Sequence, residues 1–229
     1  DPIEPEIPII DPHHHLWDTA NTHVDNPYMK EDLISDLDSG HNVVATVFVE
    51  CSAFYRQSGP AHLRPVGETE FVNRVAEDSA AKSKDGRKLC AAVVGHADLT
   101  LGKNVDEVLE AHLEVAPERM RGIRHSVPWD PNEEIRGIRA EGLLSNSKFR
   151  EGARRLPAYN LSFEAWLYHP QIPELTDFAR ACPEVSIVFD HFGGPLGIGP
   201  YAGKRSEIYQ KWNEDVAELS QCPNVFAKL

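Results

Sequence analysis

The chain alternates between short runs of apolar, often β-branched residues and longer amphipathic segments. Two of the runs, 43–49 and 185–189, read Val-Val-Ala-Thr-Val-Phe-Val and Val-Ser-Ile-Val-Phe. Such nearly unbroken apolar character is typical of parallel strands that are covered on both faces. The pattern predicts strands at 7–11, 43–51, 89–96, 121–127, 161–167, 185–190 and 225–229. It predicts helices between them, at 30–38, 68–83, 105–116, 148–155, 172–181 and 206–220.

This alternation requires a parallel α/β sheet with right-handed crossovers, either an open doubly wound sheet or a (β/α)8 TIM barrel. A dinucleotide-binding doubly wound sheet has a glycine-rich loop after its first strand, whereas here the first strand runs into three histidines. Polar residues also follow most of the later strands, which is how a barrel builds its active site. We therefore predict one TIM-barrel domain over residues 1–229, ending in about the seventh strand and incomplete at its C-terminal side.

Composition narrows the class of partner. The 229 residues include 23 Lys and Arg against 36 Asp and Glu, a net charge of −13, and no basic cluster stands out. This balance argues against nucleic acid and against anionic membrane surfaces as partners. The four cysteines form no CxxC pair, and no apolar stretch reaches membrane-spanning length. We expect a cytoplasmic protein with a small-molecule substrate, and self-association into a homo-oligomer stays open.

The segment Asp11-Pro-His-His-His-Leu-Trp17 is the strongest candidate for chemistry. Alternate side chains of a strand share a face, so His13 and His15 are expected about 6–7 Å apart on one face. His14 is expected on the other face. Such a pair can hold one metal ion or one polar substrate group. Trp17 either walls the same pocket or packs in the core.

Further candidates follow the later strands. His191 ends the run Ile-Val-Phe-Asp-His just before a glycine turn, and Asp190 is expected on the opposite face, orienting a neighbour or bonding to backbone. Arg124, in Gly-Ile-Arg-His, either meets a protein carboxylate or holds an anionic substrate. Glu50 is expected to pair with Arg124 or with an arginine in the loop that follows it. The other candidates for substrate contact are Arg56 and His169.

Several motifs together resemble the lactonase branch of the amidohydrolase superfamily. They are Asp11-Pro-His-His-His-Leu-Trp17, Gly122-Ile-Arg-His125, Tyr168-His-Pro-Gln171, Phe189-Asp-His-Phe-Gly-Gly-Pro195 and Cys222-Pro-Asn-Val-Phe-Ala-Lys-Leu229. That branch includes 2-pyrone-4,6-dicarboxylate lactonase, sulfomuconolactonase and sugar-acid lactonases. Residues 48–72 also resemble a subgroup known only as predicted metal-dependent hydrolases.

The resemblance implies a (β/α)8 barrel in which His13, His15 and His191 are catalytic. It implies that the same three histidines ligate a divalent metal, first of all Zn2+, although some members hydrolyse lactones without metal. It also implies an aspartate at the end of an eighth strand, which we expect beyond Leu229. The expected reaction is the attack of water on the carbonyl of a carboxylated or polyhydroxylated lactone. The substrate would be bound by Arg124, Glu50, Arg56, His169 and Trp17.

Two alternatives stay open. One is decarboxylation or amide hydrolysis on the same scaffold, and the other is a non-catalytic barrel that binds a small acid. A barrel without its eighth strand would expose strand edges at 7–11 and 225–229. We therefore expect a chain of this length, made alone, to be inactive and to aggregate or pair with itself.

Overall fold

The computed structural model describes residues 2–19, 26–82, 86–135 and 141–228, along which strands and helices alternate. Within these residues the strands are β1 (Ile9–His14), β2 (Val43–Val49), β3 (Lys88–Gly95), β4 (Met120–Arg124), β5 (Ser162–Ala165), β6 (Ile187–Phe189) and β7 (Val225–Ala227). The helices are α1 (Lys30–Leu37), α2 (Val66–Lys82), α3 (Asp106–Val115), α4 (Ser147–Ala153), α5 (Ile172–Ala181) and α6 (Arg205–Leu219). Short 3-10 turns lie at Ala61–Leu63, Leu99–Val105, Leu143–Ser145, Leu156–Tyr159, His169–Gln171, Asp190–Gly193 and Gly199–Tyr201.

Every predicted strand and helix is present in the described residues, most with ends shifted by one to three positions. The largest shifts, three positions each, are at the C-terminal ends of β1 and β4. Strand β1 begins at Ile9, whose N–H donates to Asn42 O at 2.9 Å. Ser83 and Leu229, at the ends of a predicted helix and a predicted strand, lie outside the described residues. None of the described helices has the length and apolar character needed to cross a bilayer.

The chain forms two compact units, Asp1–Ala97 with Glu107–Arg121, and Asp98–Asp106 with Gly122–Leu229. In the first unit β1, β2 and β3 are parallel neighbours in chain order. The backbone leading into β4 lies beside β3, since the Val93 N–H donates to Arg119 O at 2.8 Å. The apolar faces of these strands and of α2 and α3 form the core of this unit, around Phe48, Val72, Val93, Val108 and Leu109.

In the second unit the end of β4 pairs with β5, β5 with β6, and β6 with β7, all parallel. The core is a cluster of rings from Phe149, Phe163 and Phe178, whose centroids lie 5.4–5.9 Å apart. Helix α4 begins where the Asn146 side chain accepts from the N–H groups of Lys148 and Phe149, which caps its first turn. Because parallel strands end at the same edge, residues at the ends of β4 to β7 are brought close together. The prediction of a single domain stays a prediction.

A buried histidine links α2, α3 and the end of β3 in the first unit. His112 lies between the Thr69 hydroxyl, 2.8 Å from Nδ1, and the carbonyl of His96, 2.9 Å from Nε2. Burial lowers the pKa of His112 from 6.5 to about 4. The folded chain therefore holds fewer protons than the unfolded chain between these values, so stability falls as the pH drops through this window.

We expect this histidine to cost about 2 kcal/mol of unfolding free energy between pH 7 and pH 5, since one pKa unit is worth about 1.4 kcal/mol. Urea unfolding of the wild type and of His112→Gln at both pH values measures this cost. The wild type should lose about 2 kcal/mol more unfolding free energy between pH 7 and pH 5 than His112→Gln does. His41→Gln, an exposed histidine in the same unit, is the matched control and should follow the wild type. Equal losses in wild type and His112→Gln would contradict the prediction.

Candidate active site

Two histidines meet at the C-terminal end of β1. The register against β2 slips between Asp11 and His14, where three residues of β1 span two of β2, and this bulge includes Pro12, which has no N–H for the ladder. As a result the Nε2 atoms of His13 and His15 lie 3.2 Å apart, with the rings edge to face. His15 is oriented from behind, since its Nδ1 is 2.7 Å from Val49 O. That contact assigns the proton to Nδ1 and leaves the Nε2 lone pair directed at His13.

His14, which lies between these two histidines in the chain, and Trp17, two positions after them, have other contacts. His14 points to the opposite face, as expected, where Nε2 is 2.9 Å from the Thr46 hydroxyl and burial lowers its pKa. Trp17 stacks on Tyr28 with ring centroids 5.4 Å apart and donates from Nε1 to Asn26 O. Its predicted contact with substrate stays a prediction.

A second group of polar side chains follows β2. Glu50 is buried, and its N–H donates to Val94 O at 2.8 Å. Glu68, in the first turn of α2, reaches back to the loop after Glu50 and accepts from the N–H groups of Cys51 and Ala53, each at 3.0 Å. Arg56 forms an ion pair with Glu70, so a substrate carboxylate would have to compete with that partner.

In the second unit, charged side chains gather where β4 to β7 end. Arg124 is buried and lies opposite Glu164 in the register of β4 and β5. Lys228, directly after β7, forms an ion pair with Glu164 and lies 3.3 Å from Asp190 Oδ1. Burial and the nearby charge of Asp190 raise the pKa of Glu164 to about 7, while Lys228 opposes the shift. Two buried carboxyl groups therefore share one ammonium group.

Asp190 and His191 leave the strand in different directions. Strand β6 ends at Phe189, and His191 adopts a positive φ of 51°, so strand alternation stops here. The expected alternative of a bond from Asp190 to backbone is not seen among the described residues, where its carboxylate lies 3.3 Å from the Lys228 ammonium group. Burial lowers the pKa of His191, with the cations of Arg124 and Lys228 acting in the same direction and Asp190 against it.

His191 borders a cavity of about 650 Å³ within the second unit. Its ring lies edge to face with that of Trp166, with centroids 5.1 Å apart. The rest of the cavity is mostly apolar and aromatic, including Phe192, Leu196, Tyr201, Ile208, Tyr209 and Trp212. Its volume is in the range of small-molecule sites.

His169 lies in the 3-10 turn that leads into α5 and faces another cavity of about 520 Å³. Its Nδ1 accepts from the Leu196 N–H at 3.2 Å, and its ring contacts that of Tyr201 at 5.1 Å. Tyr201 in turn donates to Asp130 at 2.6 Å. His169 therefore anchors the loop after β6, and its predicted contact with substrate stays a prediction.

Sequence reasoning missed the parts played by Glu68, Glu164 and Lys228. A signal was present for Glu164, since a carboxylate within the apolar run 161–167 has to find a partner when it is buried. Lys228 follows the apolar run Val-Phe-Ala and carries the same signal. Glu68 gave none, because an acidic residue in a first helical turn is ordinary.

The sequence matches the profile of the Amidohydrolase family over residues 10–229. Uncharacterized protein y4mH of Sinorhizobium fredii is 26% identical over 242 residues, which cover 98% of this chain and 73% of that protein. L-fucono-1,5-lactonase of Burkholderia ambifaria is 29% identical over 187 residues, which cover 77% of this chain and 58% of the lactonase. The solved structure of an amidohydrolase from Burkholderia multivorans with bound zinc aligns with a TM-score of 0.68 at 21% identity, over 96% of this chain and 68% of its own.

These similarities agree with the folded chain. The likeness to the Burkholderia multivorans structure, together with the parallel strands and intervening helices, makes the fold α/β of the TIM-barrel class, as predicted. The family profile spans nearly all of the chain, including β1 with its histidines and every later strand. The chain belongs to the amidohydrolase family and is a hydrolase.

Proposed function

We propose that this protein hydrolyses a small lactone and opens its ring to the hydroxy acid. The observation that carries the proposal is the convergence of the His13 and His15 Nε2 atoms at 3.2 Å, with His15 held from behind by Val49. Paired imidazoles fixed in this way can act on one carbonyl oxygen. The lactonase relative from Burkholderia ambifaria supports a lactone as the bond that is cleaved.

The chemistry needs a group that stabilises negative charge on the carbonyl oxygen while water adds to the carbonyl carbon. The ring C–O bond then breaks, and the alkoxide takes up the proton that the water gave up, so the product is a hydroxy acid. In this proposal His13 and His15 polarise the carbonyl through a metal ion that they hold, or directly when the Nε2 atom of His15 is protonated as well. The role of His191 as a further donor to the oxyanion belongs to the same proposal.

A divalent metal fits the histidine pair. Two ligands of a tetrahedral zinc site with bonds of about 2.0–2.1 Å are about 3.4 Å apart, close to the separation seen here. The Nδ1 contact of His15 with Val49 is the kind of support that orients metal-binding imidazoles. His13 and His15 would hold the ion, which when bound supplies Lewis-acid polarisation of the carbonyl. The zinc in the Burkholderia multivorans amidohydrolase supports this choice of metal.

The substrate in this proposal carries a carboxylate or several hydroxyl groups. Arg124 is buried at the end of β4, where a guanidinium group can bind a carboxylate through two parallel hydrogen bonds. The cavity beside His191, in the same unit as Arg124, has the volume to accept a small molecule. Arg56 is a second candidate, at which a substrate carboxylate would have to displace Glu70.

The test is a substrate panel of sugar-acid lactones and carboxylated lactones, with matched lactams and carboxylic acids beside them. We expect acid release from at least one lactone, followed with a pH indicator, and none from its lactam. Release of CO2 or opening of lactams without lactone turnover would replace the proposal by the decarboxylase or amidohydrolase alternative. Binding of acids without any turnover would favour the non-catalytic barrel.

A further inference from the structure

The loop after β2 is held in a strained conformation. Ser52 and Phe54 both have positive φ values, 64° and 55°, although neither is glycine. Non-glycine residues are strained in this region and persist there only where surrounding contacts enforce the conformation. The loop begins at Glu50, a candidate substrate contact, so whatever enforces its shape also sets the direction of that carboxylate.

One carboxyl oxygen of Glu68 makes the enforcing contacts. Its Oε1 accepts from the Cys51 N–H and the Ala53 N–H, each at 3.0 Å, and lies 3.5 Å from the Cys51 thiol. These donors flank Ser52, so the bonds hold the chain on both sides of the first strained residue. The loop is thereby fixed to the first turn of α2.

Packing against α2 holds the other strained residue. The Phe54 ring stacks on Phe71 with centroids 3.8 Å apart. Gly67 allows the close approach, because a Cβ there would come within 2.6 Å of Arg56 N and of Phe54 O. Helix and loop are therefore in direct backbone contact beside Glu68.

The second carboxyl oxygen of Glu68, Oε2, is buried and has no hydrogen-bond partner among the described residues. The titratable groups that face it are Glu50 at the end of β2, and Cys51 and Tyr55 in the loop. Burial raises the pKa of both the thiol and the phenol, so both are uncharged at neutral pH. A charged Glu68 would thus stand directly beside the buried Glu50.

We propose that Glu68 is a positioning residue that works in its uncharged form, holding the loop after β2 so that Glu50 keeps its direction. Burial and the charge of Glu50 raise the pKa of Glu68 to about 8, although the loop N–H bonds act against the shift. With a proton on Glu68, Oε1 still accepts the loop N–H groups, and no second negative charge is added beside Glu50. Ionisation above about pH 8 would add that charge, and the repulsion between the two buried carboxylates would displace the loop. This inference rests on the proposed function only where it concerns Glu50.

The test compares Glu68→Gln, which is uncharged and keeps an acceptor, with Glu68→Ala, which cannot hold the loop. Glu77→Gln, an exposed position on the same helix, is the matched control. The first readout is the rate of alkylation of Cys51 by iodoacetamide at pH 7 and pH 9, located by mass spectrometry. Because every thiol is alkylated faster at pH 9, each variant is compared with wild type at the same pH. We expect Glu68→Gln to match wild type at pH 7 and to be labelled more slowly than wild type at pH 9, and Glu68→Ala to be labelled faster than wild type at pH 7.

The second readout is the pH profile of kcat/KM on whichever lactone is turned over. We expect the activity of wild type and of Glu77→Gln to fall above pH 8. The activity of Glu68→Gln should not fall in this range, because its side chain cannot ionise. Glu68→Ala should fall by about 100-fold at pH 7, which is the scale of a misplaced contact group. The proposal would be overturned if Glu68→Gln lost activity above pH 8 as the wild type does. It would also be overturned if Cys51 were labelled at the same rate in wild type and in both Glu68 variants.

The two readouts separate this inference from the proposed function. If no lactone is turned over, the labelling of Cys51 still decides whether Glu68 holds the loop. If lactones are opened but Glu68→Gln behaves like Glu68→Ala in both readouts, the charged form is the working one and the inference is wrong.

Discussion

Replacing His13 or His15 by alanine is expected to lower lactone hydrolysis by about 100- to 1,000-fold and to remove bound metal. The loss has this size because one group that stabilises a developing oxyanion, directly or through a bound ion, is typically worth two to three orders of magnitude. The two Nε2 atoms are 3.2 Å apart, so either substitution leaves a single imidazole where two act together. A zinc ion that loses one of its few protein ligands is not retained.

His14→Gln is the matched control, because His14 lies between the two histidines in the chain yet bonds to Thr46 on the opposite face. It should keep metal content and rate within a few-fold of the wild type. Metal content is measured on the purified variants, and rates are measured before and after exhaustive chelation. Activity that survives chelation but not the substitutions means that the imidazoles act without metal. A wild-type rate in His13→Ala or His15→Ala would contradict both versions.

The alternation of apolar runs and helical segments was enough to predict the architecture. Buried strands such as β2 have apolar residues at nearly every position, and the helices between them carry charges on one side, so the periods of the two elements are easy to separate. Strand ends were harder, because they depend on single hydrogen bonds such as that from Ile9 to Asn42. The bulge in β1 also escaped prediction, since it is a property of the pairing with β2 rather than of β1 alone.

Within the candidate site, residues with an evident chemical function were predictable and their supports were not. The histidines of β1 stand out by type and spacing, and the structure brings His13 and His15 together. Glu68 is separated from Cys51 by 17 positions, and Lys228 from Glu164 by 64. Such contacts follow from the way strand and helix ends meet in the fold, and a single sequence does not record them. Asp190 shows the same limit, because its direction depends on the turn at His191.

The largest effect on stability is expected at Lys228. Its ammonium group is nearly excluded from solvent and lies between Glu164 and Asp190, which are both buried. Lys228→Met keeps most of the side-chain volume but leaves two carboxyl groups in this pocket without their ammonium partner. Breaking a buried ion pair from one side costs about 3–5 kcal/mol, because the remaining charge has lost both water and partner. Lys211→Met, which removes an exposed partner of Asp215 on α6, should cost about 1 kcal/mol or less.

Chemical unfolding at pH 7.5 and pH 5.5 tests the origin of this cost. Because burial and Asp190 already raise the pKa of Glu164 to about 7, that carboxyl is partly protonated near neutral pH, and without Lys228 it takes up a proton more readily still. The deficit of Lys228→Met should therefore shrink at pH 5.5, and Glu164→Gln combined with Lys228→Met should be more stable than Lys228→Met alone. The prediction is wrong if Lys228→Met is as stable as Lys211→Met. It is also wrong if the loss of unfolding free energy in Lys228→Met is the same at both pH values and is not reduced by Glu164→Gln.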